Sequence, residues 1–75
     1  MHTVDTLIHI GQSLDQSKRD SCCHTVNDLN GVREAKFAVK RPHLLRVDYD
    51  PLATDATTIL TIIRDLGLEA HLVAL

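Results

Sequence analysis

Cysteine and histidine concentrate the chemistry this chain can offer. Cys22-Cys23-His24 sets two thiols and an imidazole side by side, donors that suit soft or borderline metal ions. Successive helical residues point about 100° apart, so in a helix these three diverge and cannot close on one ion. Cys22 recurs with Val26 and Leu29 on one apolar stripe, which places it in the core as a small hydrophobe. Cys23 then lies on the helix flank as a candidate reactive thiol, and His24 faces water. A metal would be held by Cys23 only with groups from a second chain, or where the helix frays. Adjacent cysteines rarely bond to each other, so a disulfide-stapled secreted scaffold is not expected.

The second candidate pair is His9 and His71. Both fall on the polar phase of alternating segments near the two ends of the chain. If those segments are neighbouring antiparallel strands, the two imidazoles lie side by side on the sheet face that carries no helix. Two imidazoles bind a divalent metal such as zinc weakly, or titrate together near neutral pH.

The elements that must position these groups read as follows. The first strand spans Thr3 to Ile10, with Val4, Thr6, Ile8 and Ile10 on one face and Asp5, Leu7 and His9 on the other. Ser13-Leu14-Asp15-Gln16 has the form of a capping box, opening a helix from Leu14 to Leu29 that Asn30-Gly31 ends. A second strand runs from Arg33 to Lys40, with Ala35, Phe37 and Val39 inward. Arg41-Pro42-His43 turns the chain into a third strand, Leu44 to Tyr49, which faces Leu45, Val47 and Tyr49 inward. Thr54 caps a second helix from Asp55 to Leu66, with Ile59, Ile62, Ile63 and Leu66 as its stripe. Leu68 to Leu75 forms the last strand, with Leu68, Ala70, Leu72 and Ala74 inward.

Strand, helix, strand, strand, helix, strand is the split βαβ order. The fold class is α+β: a ferredoxin-like βαββαβ two-layer sandwich with a four-stranded antiparallel sheet. Right-handed crossovers put both helices on one face. The open face then carries Leu7, His9, Leu44, Arg46, His71 and Val73, and that face or an edge strand is the expected surface for a protein partner or a homodimer.

Composition narrows the function classes. The 75 residues make one domain, 1–75, with a formal net charge of −2 and both signs interspersed. No basic face suits nucleic acid, and no apolar run reaches the roughly 20 residues of a membrane span. Met1-His2-Thr3-Val4-Asp5 has no basic segment of a signal peptide, so a soluble cytoplasmic protein is expected. An RNA-recognition domain of the same topology needs aromatics on the open face, but Phe37 and Tyr49 share phase with the core. An acylphosphatase needs a phosphate cradle with a nearby arginine, and Arg19 lies too far into the helix. No catalytic constellation is visible, so the chain is not read as an enzyme.

Three further segments carry a family resemblance. Asn30-Gly31-Val32, Val47-Asp48-Tyr49-Asp50-Pro51, and Ile59 through Leu72 with its Asp65-Leu66-Gly67-Leu68-Glu69-Ala70 are together similar to the heavy-metal-associated domains of copper chaperones and metal-pumping ATPases. The resemblance implies a Cys-x-x-Cys metal loop after the first strand. Counted back from Gly31-Val32, its cysteine positions fall on Asp15 and Lys18. A Cu(I) site needs converging thiolates, so Cu(I) is not expected here. Ser13 stands where many members have methionine, and Leu68 where many have an aromatic residue. A salt bridge between Asp15 and Lys18 would close the loop without metal. The resemblance thus implies a small domain associated with heavy-metal binding or transport whose site is altered or lost. The alternative is a metal-independent interaction or regulatory module on the same fold.

Overall fold

The computed structural model describes residues 2–73. Its elements are β1 (Val4–Ile10), α1 (Gln16–Asn27), β2 (Val32–Phe37), β3 (Leu44–Tyr49), α2 (Ala56–Asp65) and β4 (Ala70–Leu72). The strands form one antiparallel sheet in the order β2-β3-β1-β4, so the expected βαββαβ sandwich is the one observed. Its core is Ile8, Ile10, Ala35, Leu45, Val47 and Ala70 from the sheet, with Cys22, Val26, Ile59, Leu60 and Ile63 from the helices.

Both helices begin later than the capping signals suggest. Asp15, not Ser13, caps α1, and its carboxylate accepts the Lys18 N–H at 2.8 Å. Gln16 does not reach back; its amide donates to Asp20 at 2.8 Å. Asp55, not Thr54, caps α2 by accepting the Thr58 N–H at 2.7 Å. A carboxylate is the stronger acceptor for these orphan amides and also suits the positive end of the helix. α1 ends at Asn27, before Asn30-Gly31. Gly31, at φ +91°, instead belongs to the turn into β2. A Cβ there would lie 2.8 Å from the Ala53 Cβ, where this turn meets the β3–α2 connection.

The β-branched run of α2 shows why burial outweighs propensity. Residues 57–63 include six Thr or Ile, each roughly 0.5 kcal/mol less favourable in a helix than alanine. Against that sum, roughly 3 kcal/mol, stand buried Ile59, Leu60 and Ile63, at roughly 1.5–3 kcal/mol each. Leu60 replaces Leu66 in the expected stripe: Leu66 is the helix C-cap and is 46% exposed.

β2 stops at Phe37, three residues before its expected end, and Val39 is 98% exposed rather than inward. The ladder closes where Ala38 N–H meets the Leu44 carbonyl at 2.9 Å, and the Arg41-Pro42-His43 turn follows. β4 is likewise short, and Leu72, opposite Ile8, is exposed at the sheet margin. Ala74 and Leu75 lie outside the described residues.

Each sheet edge carries a side-chain contact to its main chain. On β2, the Asn27 side chain accepts the Ala35 N–H at 2.8 Å and donates to the Ala35 carbonyl at 3.0 Å. The same amide donates to Cys23 O at 2.8 Å, which ties α1 to that edge. On β4, Arg64 Nε donates to the Ala70 carbonyl at 2.9 Å. Side chains thus fill main-chain positions that would otherwise template another strand.

Candidate functional site

The loop between β1 and α1 is held from below. Gly11 N–H donates to the Glu69 carbonyl at 2.8 Å, and Glu69 N–H donates to Gln12 Oε1 at 3.0 Å. These bonds fasten the loop to the segment before β4. A hollow of about 370 Å³ opens there, lined by Gln12, Ser13, Leu14, Lys18, Leu66 and Leu68 among others.

Within this loop Asp15 and Lys18 are joined differently from the expected salt bridge. The Asp15 carboxylate bonds the backbone N–H of Lys18, and both side chains are exposed. Asp15 therefore serves the helix as its cap. A carboxylate so engaged and an ammonium group offer a soft monovalent ion no thiolate, so these residues do not fit Cu(I).

The three consecutive donors of α1 point to three environments. Cys22 is in the core at 2% exposure. Burial, and then the neighbouring Cys23, push its thiol up to about 11, so it stays protonated and sits as a hydrophobe. Cys23 is half-buried and lines a hollow of about 380 Å³ between α1 and the end of β2, with Arg19, Lys36 and Phe37. Burial raises its pKa, the Phe37 N–H opposes that, and Asp20 adds to it; the net result is a sluggish nucleophile rather than a thiolate. His24 is exposed and reaches Asp28 at 3.4 Å, one turn on. The structure does not bring these three together. Among the described residues no three His, Cys, Asp or Glu groups converge as a preformed metal site.

His9 and His71 are brought together. They are direct partners in the β1–β4 register, with ring centroids 5.0 Å apart and planes 29° from parallel. A third imidazole, which the strand alternation did not reveal, joins them. His43 stacks on His9 from the other side at 6.0 Å and 23°. It stands in the turn before β3, where a period of two says nothing about direction.

The rest of the open face is charged rather than greasy. Asp5 and Asp48 face each other across β1 and β3, and Arg46 reaches Asp5 at 2.9 Å and Asp48 at 3.5 Å. Side by side, the two carboxylates titrate together: a proton held between them sits on Asp48, which keeps Asp5 below the usual range and raises Asp48. Leu7, Leu44 and Val73 are half-buried between these groups. Among the described residues the most exposed large apolar side chains are Val39 and Leu52, in loops.

No family profile matches the chain, and no curated protein matches it by sequence. Solved structures do. The copper-binding domain of HMA7, a P-type ATPase, superposes with a TM-score of 0.83 at 23% identity, covering 93% of each chain. The apo copper chaperone of Enterococcus hirae gives 0.80 at 20% identity, over 91% of this chain and 98% of the chaperone. Oxidized MerP from Ralstonia metallidurans CH34 gives 0.85 at 11%, over 97% of this chain and all of its own. At these identities the likeness is one of architecture. The chain has the fold of the heavy-metal-associated domains found in copper chaperones and P-type ATPases.

Proposed function

We propose that this chain is a heavy-metal-associated domain in which the Cu(I) loop has become a metal-free helix cap. It works as a non-enzymatic, cytoplasmic docking or regulatory module, engaging a protein partner without carrying copper. The observation that carries the reading is the Asp15 carboxylate on the Lys18 N–H at 2.8 Å. In the resemblance these two residues occupy the cysteine positions, and here they close the first turn of α1 by hydrogen bonding alone. The fastening of Gly11 and Gln12 to Glu69 supports it, because the loop is held in shape by protein groups. The core position of Cys22 supports it too, because the nearest thiol is unavailable to the loop.

Copper competition tests the proposal. Tag-free protein is equilibrated with Cu(I) and a strong Cu(I) chelator, and bound copper is measured. The expected result is that the chelator takes all the copper. One equivalent of copper retained at sub-picomolar free Cu(I), and lost in Asp15→Ala, would overturn it.

A further inference from the structure

Three of the five histidines stand in one row on the helix-free face of the sheet. His9 is central on β1, His71 is its direct cross-strand partner on β4, and His43 approaches from the turn before β3. His43 Nδ1 lies 3.1 Å from the Ile10 carbonyl oxygen. A carbonyl oxygen only accepts, so this contact requires the proton on Nδ1 and leaves the Nε2 lone pair free. A backbone carbonyl holding one imidazole nitrogen while the other stays a free acceptor is how proteins orient a metal-ligating histidine. The buried Nδ1 of His9 has no hydrogen-bond partner. An unsatisfied buried nitrogen is the exception in folded proteins and calls for a partner.

We propose that His9, His43 and His71 form a binding site for a borderline divalent transition-metal ion of the Zn²⁺ class, separate from the β1–α1 loop. Neutral imidazole suits Zn²⁺, Ni²⁺ and Cu²⁺, and the cluster contains no carboxylate of the kind that Mg²⁺ or Ca²⁺ demands. The rings now stack, and lone pairs lie in the ring planes. Closing on an ion therefore requires His71 to swing about its side-chain bonds and His43 to rock about its Nδ1 contact with the Ile10 carbonyl, which is kept. Both side chains are exposed and can do so. The adjoining hollow, about 300 Å³ and lined by His9, Arg41, His43 and Leu44, leaves room for the movement. Arg41 places a positive charge beside the site and keeps the affinity modest. The inference does not rest on the proposed loss of Cu(I) binding, since it uses none of the loop residues.

The test is a titration of tag-free protein with Zn²⁺ alone, followed through the histidine imidazole NMR signals at slightly alkaline pH. The expected result is saturable binding of one equivalent, moving the signals of His9, His43 and His71 and leaving His2 and His24 in place. His71→Gln and His43→Gln, both at exposed positions, should each weaken Zn²⁺ at least about tenfold, as losing even an orienting group does at metal sites. Circular dichroism of each variant verifies the fold, and Cys23→Ser should bind as the wild type does. Undiminished affinity in His71→Gln/His43→Gln would overturn the proposal. So would shifts confined to His24, or no saturable binding at millimolar Zn²⁺.

Discussion

Replacing Asn27 by alanine should be the most damaging polar substitution on the surface of this domain. Asn27 makes three side-chain hydrogen bonds, two to Ala35 on β2 and one to Cys23 O on its own helix. The bonds to Ala35 carry the effect, because they are the polar link between α1 and the sheet edge. Each contributes about 1 kcal/mol net. Water can reach this edge and satisfy part of what is lost, so the variant should lose about 1–2 kcal/mol. A 75-residue domain has roughly 4–11 kcal/mol in all, and for this size each kcal/mol moves Tm by roughly 4–8 °C. Asn27→Ala should therefore lower Tm by roughly 5–15 °C. Asn27→Asp keeps the acceptor for the Ala35 N–H but sets a carboxylate oxygen against the Ala35 and Cys23 carbonyls, so it should cost at least as much. Thermal and urea melts measure the loss, and amide exchange reports whether protection of the Ala35 N–H drops. A Tm within about 2 °C of wild type, together with unchanged Ala35 protection, would refute the claim that this side chain fastens the edge.

Other outcomes follow from the same geometry. Cys22→Ala should destabilise by about 1 kcal/mol through a small core void, while Cys23→Ala is nearly silent; equal shifts in thermal melts would contradict the phase of α1. In native protein a thiol reagent should modify Cys23 slowly, faster as pH rises, and leave Cys22 untouched until unfolding. Gly31→Ala should cost about 3 kcal/mol, a left-handed backbone plus a contact with Ala53, against about 1 kcal/mol for Gly67→Ala, where φ is +87° but the space is open; denaturant midpoints separate the two. Asp48 is held above its ordinary value, so its contribution is fully present at acid pH and is lost as pH rises through the folded value. Asp48→Asn should therefore raise stability slightly at neutral pH and flatten the stability profile over the range just above the ordinary carboxylate value, which melts across that range will read.

The sheet was legible because its signals are local and redundant. β3 has its expected ends, since Leu45, Val47 and Tyr49 alternate cleanly between a proline turn and Asp50-Pro51. The caps were harder. Ser13 and Asp15, like Thr54 and Asp55, are all competent capping residues, and only the placement of the Lys18 and Thr58 amides decides between them. Alternation also carried Val39 inward, because period alone does not say where a ladder stops. At the candidate sites, the helical period separated Cys22 from Cys23 and His24, and strand pairing joined His9 to His71. His43 was hidden by its position in a turn, and Asn27 by looking like an ordinary helix-terminal polar residue. Both act through contacts between residues far apart in sequence, which no periodicity encodes.

The central claim is that the fold still frames a Cu(I) loop and that residues 15 and 18 alone deny it the metal. Measuring Cu(I) affinity of Asp15→Cys/Lys18→Cys by chelator competition, with the wild type alongside, tests this most directly. Losing the Asp15 cap should cost about 1 kcal/mol, which leaves the variant folded. The account predicts that the variant retains one equivalent of Cu(I) against a chelator that strips the wild type completely. A folded variant that binds no better than wild type would contradict it, as would a wild type that already holds copper as tightly.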